Sequence, residues 1–218
     1  MWDTKNSIEI WEKRWQGSEN EEKLTFLGKL MFGAKLKVMS RSLKGLDIKS
    51  AIEVGSGLGY TLSLFEHLGY SAIGIDISET SIKVCKNKGL HVRQQSLETV
   101  RDTFDLVSSD GLLEHFLNFE PYAMELMRIS EKYVLLIQPN HDSFRGKTIA
   151  YFAELTKSHK NVFEYNYRIK DFIKVFSNHG FDVVANKPVF FNVFRLLLFK
   201  RKVSYFLFGE RGAISGIC

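Results

Sequence analysis

Three glycines at alternate positions, Gly55, Gly57 and Gly59, follow a short apolar run of Ala51, Ile52 and Val54 that only Glu53 interrupts. An apolar run that breaks into glycines is a buried strand entering a tight turn. Such a turn aims backbone N–H groups at whatever lies above it, and its missing side chains let a nucleotide-like cofactor rest on the main chain. Asp76 follows Gly55 by 21 residues (76 − 55), the distance of one helix plus one strand. In a parallel sheet that spacing puts a carboxylate at the carboxyl end of the neighbouring strand, where it can accept hydrogen bonds from ribose hydroxyls. His115 and His141 come just after the fourth and fifth apolar runs, on the same side. An imidazole there can take a proton from an oxygen or nitrogen acceptor near neutral pH, and His115 is the stronger candidate. No His or Cys pair has the spacing of metal ligands, so no metal site is read.

A dinucleotide loop needs a third glycine where this chain has Tyr60, while an acid at Asp76 suits either adenosine cofactor. The pattern Glu53-x-Gly55-x-Gly57-x-Gly59 resembles the first motif of the class I S-adenosylmethionine-dependent methyltransferases. Phe104-Asp105-x-Val107, followed by Leu113-x-His115, is similar to the fourth-strand signature of that superfamily's small-molecule branch. The resemblance implies that Glu53, Gly55, Gly57, Gly59, Asp76, Ile77 and Ser109 hold S-adenosyl-L-methionine. It also implies that Ser96 stands where the family places an acid against the adenine amino group, with Leu97 covering the ring. The expected reaction is methyl transfer to an O, N or C atom of a small molecule, with His115 as base. An NAD(P)-dependent oxidoreductase, or a non-catalytic protein of the same fold, are the alternatives.

The elements that must position these residues follow from periodicity. Leu62, Phe65 and Leu68 predict a helix of about three turns after the loop, closed by Gly69. Ser78 caps a helix through Asn87, and Leu90–Gln94, Phe104–Ser109 and Tyr133–Ile137 read as strands. A helix starts at Glu120-Pro121 and runs to about Ser130, another covers Asp171–His179, and strands follow at Phe181 and at Val193–Lys200. Alternating strands and helices imply right-handed crossovers. The expected fold is α/β, a Rossmann-like, doubly wound, seven-stranded and mostly parallel sheet with an antiparallel terminal strand, plus an N-terminal helical cap. One domain spans 1–218, with a cap at 1–45, a core at 46–200 carrying an aromatic flap at 139–167, and a tail at 201–218. Ile8, Trp11 and Trp15 are one helical face of the cap, and Leu24, Leu27, Leu30 and Met31 a second. The Trp11–Trp15 segment resembles the aromatic helix that closes over the cofactor in small-molecule methyltransferases.

With 218 residues and 44% hydrophobic content, the chain supports one globular α/β domain. Cys85 and Cys218 make no disulfide framework, the start has no signal-peptide pattern, and Val189–Phe199 is too short to span a bilayer. A cytoplasmic protein is expected, with peripheral membrane contact compatible with its composition. Nucleic acid is disfavoured as a partner, since Ser108-Ser109-Asp110-Gly111 stands where many base amino-methyltransferases carry an Asn-Pro-Pro-Tyr type motif. Between Lys157 and Lys202 ten Lys or Arg face three acids, among several phenylalanines. That mixture suits a lipid-linked, isoprenoid or phosphorylated acceptor, and it predicts a basic, aromatic rim at the pocket mouth.

Overall fold

The computed structural model describes residues 8–16, 26–144, 146–148 and 164–202. Two cap helices, α1 (Ile8–Trp15) and α2 (Phe26–Leu43), lead into β1 (Ser50–Val54), α3 (Tyr60–His67), β2 (Ser71–Asp76), α4 (Glu79–Asn87) and β3 (Val92–Gln94). Then come β4 (Phe104–Asp110), α5 (Glu120–Arg128), β5 (Ser130–Pro139), α6 (Ile169–Asn178), β6 (Phe181–Val189) and β7 (Phe194–Arg201). Short 3-10 turns at Leu97–Thr99 and Leu113–His115 follow β3 and β4.

The seven strands form one sheet in the order β3-β2-β1-β4-β5-β7-β6. Pairing is parallel from β3 to β5, and β7 runs antiparallel between β5 and β6. The order reverses at β1 and β4, so the crevice above their carboxyl ends is the natural ligand position. Met39, Leu43 and Phe65 bury against one face of the sheet with Leu106, Leu135 and Ile137. Leu126, Phe172 and Phe176 bury against the other, with Val107, Val134 and Leu136. The alternation along β4 and β5 therefore feeds two separate helical layers. At the amino edge, the Asp105 carboxylate accepts from the Lys49 and Ser50 amides at 2.7 and 3.3 Å and pairs with Lys132 at 3.0 Å. The Phe-Asp start of β4 thus closes the beginning of β1.

Several boundaries differ from expectation. The helix after the glycine loop ends at His67, at about two turns, because Leu68 already turns the chain toward Gly69 at φ 82°. The α5 helix stops at Arg128, since Ser130 already pairs with Phe104 and lengthens β5 to ten residues. In the cap, α2 buries its carboxyl-terminal half through Met39 and Leu43, while Phe26 and Leu30 are exposed. The second face expected around Leu30 is therefore not a core face, and Leu24, like the side chain of Leu27, lies outside the described residues. Tyr151, Phe152, most of the flap and the tail beyond Lys202 do too.

Candidate active site

Gly55, Gly57 and Gly59 all have positive φ, at 74°, 49° and 78°. Hydrogen bonds fix the loop from β2 and α4. The Gly55 and Ser56 amides donate to the Ile75 carbonyl at 2.9 and 3.0 Å, and the Ser81 hydroxyl donates to the Gly57 carbonyl at 2.6 Å. A Cβ on Gly59 would stand 2.3 Å from a Leu90 methyl, so glycine is required there by packing as well as by φ.

Asp76 sits where the spacing put it, at the carboxyl end of β2, and takes part in the loop itself. Its two oxygens accept from the Gly57 amide at 2.8 Å and the Ser78 amide at 2.9 Å. Burial raises the Asp76 carboxyl above its ordinary range, and the Ser78 and Gly57 amides work against that. The Ser81 side chain and the Ile77 backbone also favour the charged carboxylate. Ile77 is half-buried beside it, and the Gln94 side chain donates to the Ile77 carbonyl at 3.1 Å. Leu97 is buried next to Val54 and Ile75, whereas the Ser96 carbonyl accepts from the Thr99 hydroxyl at 2.8 Å. Ser109 points elsewhere than a ligand contact would require: it is fully buried, and its hydroxyl donates to the Val54 carbonyl at 3.1 Å, joining β4 to the end of β1.

The first cap helix lies across this loop. The Trp15 ring reaches to 3.0 Å from where a Gly57 Cβ would stand, and Trp11 meets the His115 ring edge-on with centroids 4.9 Å apart. Glu12, between them, accepts from the Ser78 hydroxyl at 2.7 Å and from the Thr80 amide at 3.0 Å, at the amino end of α4. Burial acts to raise the Glu12 carboxyl, but the hydrogen bonds from Thr80 and Ser78 outweigh it and leave the group below its usual value. Nothing local in the sequence marks Glu12, because its partners lie 66 and 68 positions away. The indole N–H groups of Trp11 and Trp15 are buried without partners. Unpaired donors beside a glycine loop fit a ligand held beneath the helix.

Two groups of polar residues occupy the carboxyl ends of the central strands. On the α2 side, Glu53 is 2% exposed and one of its carboxyl oxygens has no partner. Burial, with Asp110 nearby, pushes its carboxyl up to about 8. Asp110 is held by Lys35 of α2 at 2.6 Å, whose ammonium also lies 4.4 Å from the Phe194 ring centre. On the other side, Glu114 and His115 are both buried in the 3-10 turn after β4. The ligand atoms of Glu114, His115 and Glu164 lie within 4.8 Å of one another. The Tyr165 amide donates to the Glu114 carbonyl at 2.7 Å, which anchors the return of the flap on this turn.

The basic residues expected at the rim divide between the two ends of the sheet, with Arg195 level with Gln138 at the carboxyl end of β5. Because β7 is antiparallel, Lys200 pairs with Tyr133 at the amino end of β5, opposite the crevice, and Arg201 bonds the Ser130 and Met127 carbonyls. Lys202 pairs with Asp182, and Arg195 with Asn186 and Asn192. Of the flap aromatics, Tyr167 donates to the Leu117 carbonyl at 2.6 Å and packs on Phe119, so it braces the turn carrying His115. Phe144 is exposed.

Residues 52–137 match a family model described as a methyltransferase domain. No curated protein sequence matches the chain. Among solved structures, the magnesium protoporphyrin IX methyltransferase of Synechocystis PCC 6803 with bound SAH is 17% identical, with a TM-score of 0.70 over 87% of this chain and 94% of that one. A possible histamine N-methyltransferase of Thermotoga maritima is 16% identical, with a TM-score of 0.65 over 90% and 100%. A structure concerning conversion of a disulfide bond into a thioacetal group during echinomycin biosynthesis is 18% identical, with a TM-score of 0.65 over 94% and 97%. At these identities the likeness to solved structures is one of fold.

Proposed function

We propose that this chain, whose residues 52–137 carry the methyltransferase domain and whose sheet has the class I order, is an S-adenosylmethionine-dependent methyltransferase acting on a small molecule. The observation that carries the reading is the glycine loop clamped to Asp76 beside the buried carboxyl of Glu53, all at the switch point of the sheet. A dinucleotide would want a glycine at Tyr60, which instead opens α3 and stacks on Phe32 of the cap.

Gly55, Gly57 and Gly59 would carry the methionine portion of the cofactor on bare main chain, with Glu53 accepting from its amino group. Asp76 would accept from the ribose, while Ile77 and Leu97 would enclose the adenine with backbone groups of Ser96 at its edge. Ser109 supports this set by holding β4 to β1 rather than by contact. The bound cofactor supplies a methyl group already activated on a sulfonium, so the protein's task is alignment and exclusion of water. Trp11 and Trp15 would cover the crevice, and His115, buried and in contact with Trp11, would accept the acceptor's proton.

Calorimetric titration with S-adenosylhomocysteine and, in parallel, with NADH tests the reading. Binding of the first alone is expected, and it should be weakened at least tenfold in Asp76→Ala, which loses two loop anchors as well as the ribose acceptor. Binding of NADH alone would overturn it.

A further inference from the structure

We propose that the methyl acceptor is an amine, docked as its ammonium between the carboxyl groups of Glu114 and Glu164 with His115 at its side. This rests on the methyltransferase reading above. Glu114 is 3% exposed, and its Oε2 is buried without a hydrogen-bond partner. A buried acceptor in that state costs free energy that a donor from a ligand would recover. Its neighbours sharpen the demand. Burial first, and then the Glu164 and Asp110 carboxylates, raise the Glu114 carboxyl well above its usual range, with Lys35 acting the other way. A cation relieves this crowding, and an anionic acceptor would add to it.

The surroundings are those of a polar ligand. Gln138 is fully buried with neither amide atom bonded, and it alternates with Leu136 onto the β5 face that receives Leu113 of the 3-10 turn. His141 has an unpartnered, buried Nε2, and burial lowers its pKa so that it is neutral near neutral pH. Trp11 packs on His115 in a T-shaped contact with ring centroids 4.9 Å apart, which sets an aromatic ring beside the site. The ligand atoms of Glu114, His115 and Glu164 lie within 4.8 Å of one another, close enough for one small cationic head to meet all three.

The ammonium first passes one proton to His115, leaving a neutral amine with a free electron pair. That pair forms the N–C bond as the S–C bond breaks and its electrons return to sulfur, so the positive charge moves from sulfur to the methylated nitrogen. His115 then releases its proton to solvent, and no oxidant or metal is consumed.

The test titrates the full chain, saturated with S-adenosylhomocysteine at neutral pH, with three probes that share a ring and chain but differ in head: 2-phenylethylamine, 2-phenylethanol and phenylacetate. The amine is expected to bind roughly tenfold or more tighter than either other probe. Glu114→Gln and Glu164→Gln should each remove most of that preference while leaving S-adenosylhomocysteine affinity unchanged. The half-buried Glu164 provides the decisive variant if Glu114→Gln does not fold. Equal binding of the three probes, tighter phenylacetate, or no probe binding at all overturns the amine assignment, as does Mn2+ binding that Glu164→Gln abolishes. Failure to bind S-adenosylhomocysteine would instead overturn the methyltransferase reading beneath it.

Discussion

Replacing Glu53 with Gln should make the protein more resistant to alkaline conditions, in a way that isolates one buried group. Glu53 is held at about 8 instead of 4.5, chiefly by burial, with the Asp110 carboxylate adding to it. The folded state therefore keeps a proton that the unfolded chain releases. Stability from this group is whole below pH 4.5 and declines as pH rises through 8, at about 1.4 kcal/mol per unit. The full span, 8 − 4.5, corresponds to an upper bound of about 4–5 kcal/mol. Glutamine keeps the shape of the protonated acid and does not titrate. The two proteins should accordingly unfold at similar urea concentrations near pH 5, separate as the pH rises to about 8, and keep a constant gap from there to pH 9, with the variant ahead. At a slope of about 2 kcal/mol per molar urea, the final gap approaches about 2 M. Other shifted carboxyls, among them Asp76 and Glu114, titrate in both proteins and cancel in the difference. Parallel curves from pH 5 to 9 would refute the assignment of a neutral, buried Glu53.

Gly59→Ala combines φ 78° with a Cβ 2.3 Å from Leu90, and it should cost about 2–4 kcal/mol by thermal or urea unfolding. Glu12 is held below its usual value by Thr80 and Ser78 against the opposing pull of burial, so docking of α1 should be complete above pH 4.5 and weaken as pH falls below it. Tryptophan emission should then shift red while the far-ultraviolet signal of the sheet and its helices stays. Glu12→Gln should show a red-shifted emission already at neutral pH and bind S-adenosylhomocysteine severalfold more weakly. Tyr167→Phe removes the hydroxyl that bonds the Phe116 and Leu117 carbonyls. It should cost about 1 kcal/mol and raise the apparent KM for the acceptor more than it lowers kcat, because the turn carrying His115 loosens.

The sheet and the glycine loop with its link to Asp76 were legible because their signals are local. Glycines, an acid one βα unit later and apolar runs at fixed intervals report on residues that neighbour one another in the chain or through one crossover. Ser78 was legible as a cap for the same reason, and its hydroxyl accepts from the Ser81 amide three residues on. What escaped the sequence was set by long-range placement. Glu12 and Lys35 reach the site from the two cap helices and Glu164 from just before α6, and charge counts along the chain could not say where β7 would deliver its cations. Reversal of that strand carried Lys200 to the amino end of β5 and kept Arg195 level with Gln138 at its carboxyl end. Glu114 was in view only as a letter inside the fourth-strand motif. Its burial and its missing partner are properties of the assembled turn. Ser109 illustrates the opposite error, a correctly located residue whose hydroxyl is committed to the sheet.

The central claim is that the loop from Gly55 to Gly59, with Glu53 and Asp76, holds S-adenosylmethionine. Backbone amide shifts of the labelled protein during titration with S-adenosylhomocysteine test it most directly. The largest changes are expected at Gly55, Gly57, Gly59, Ile77 and Leu97, with α1 responding through Trp11 and Trp15 and β6 unmoved. Saturable binding whose shifts avoid the loop, or no shift at millimolar ligand, would contradict it.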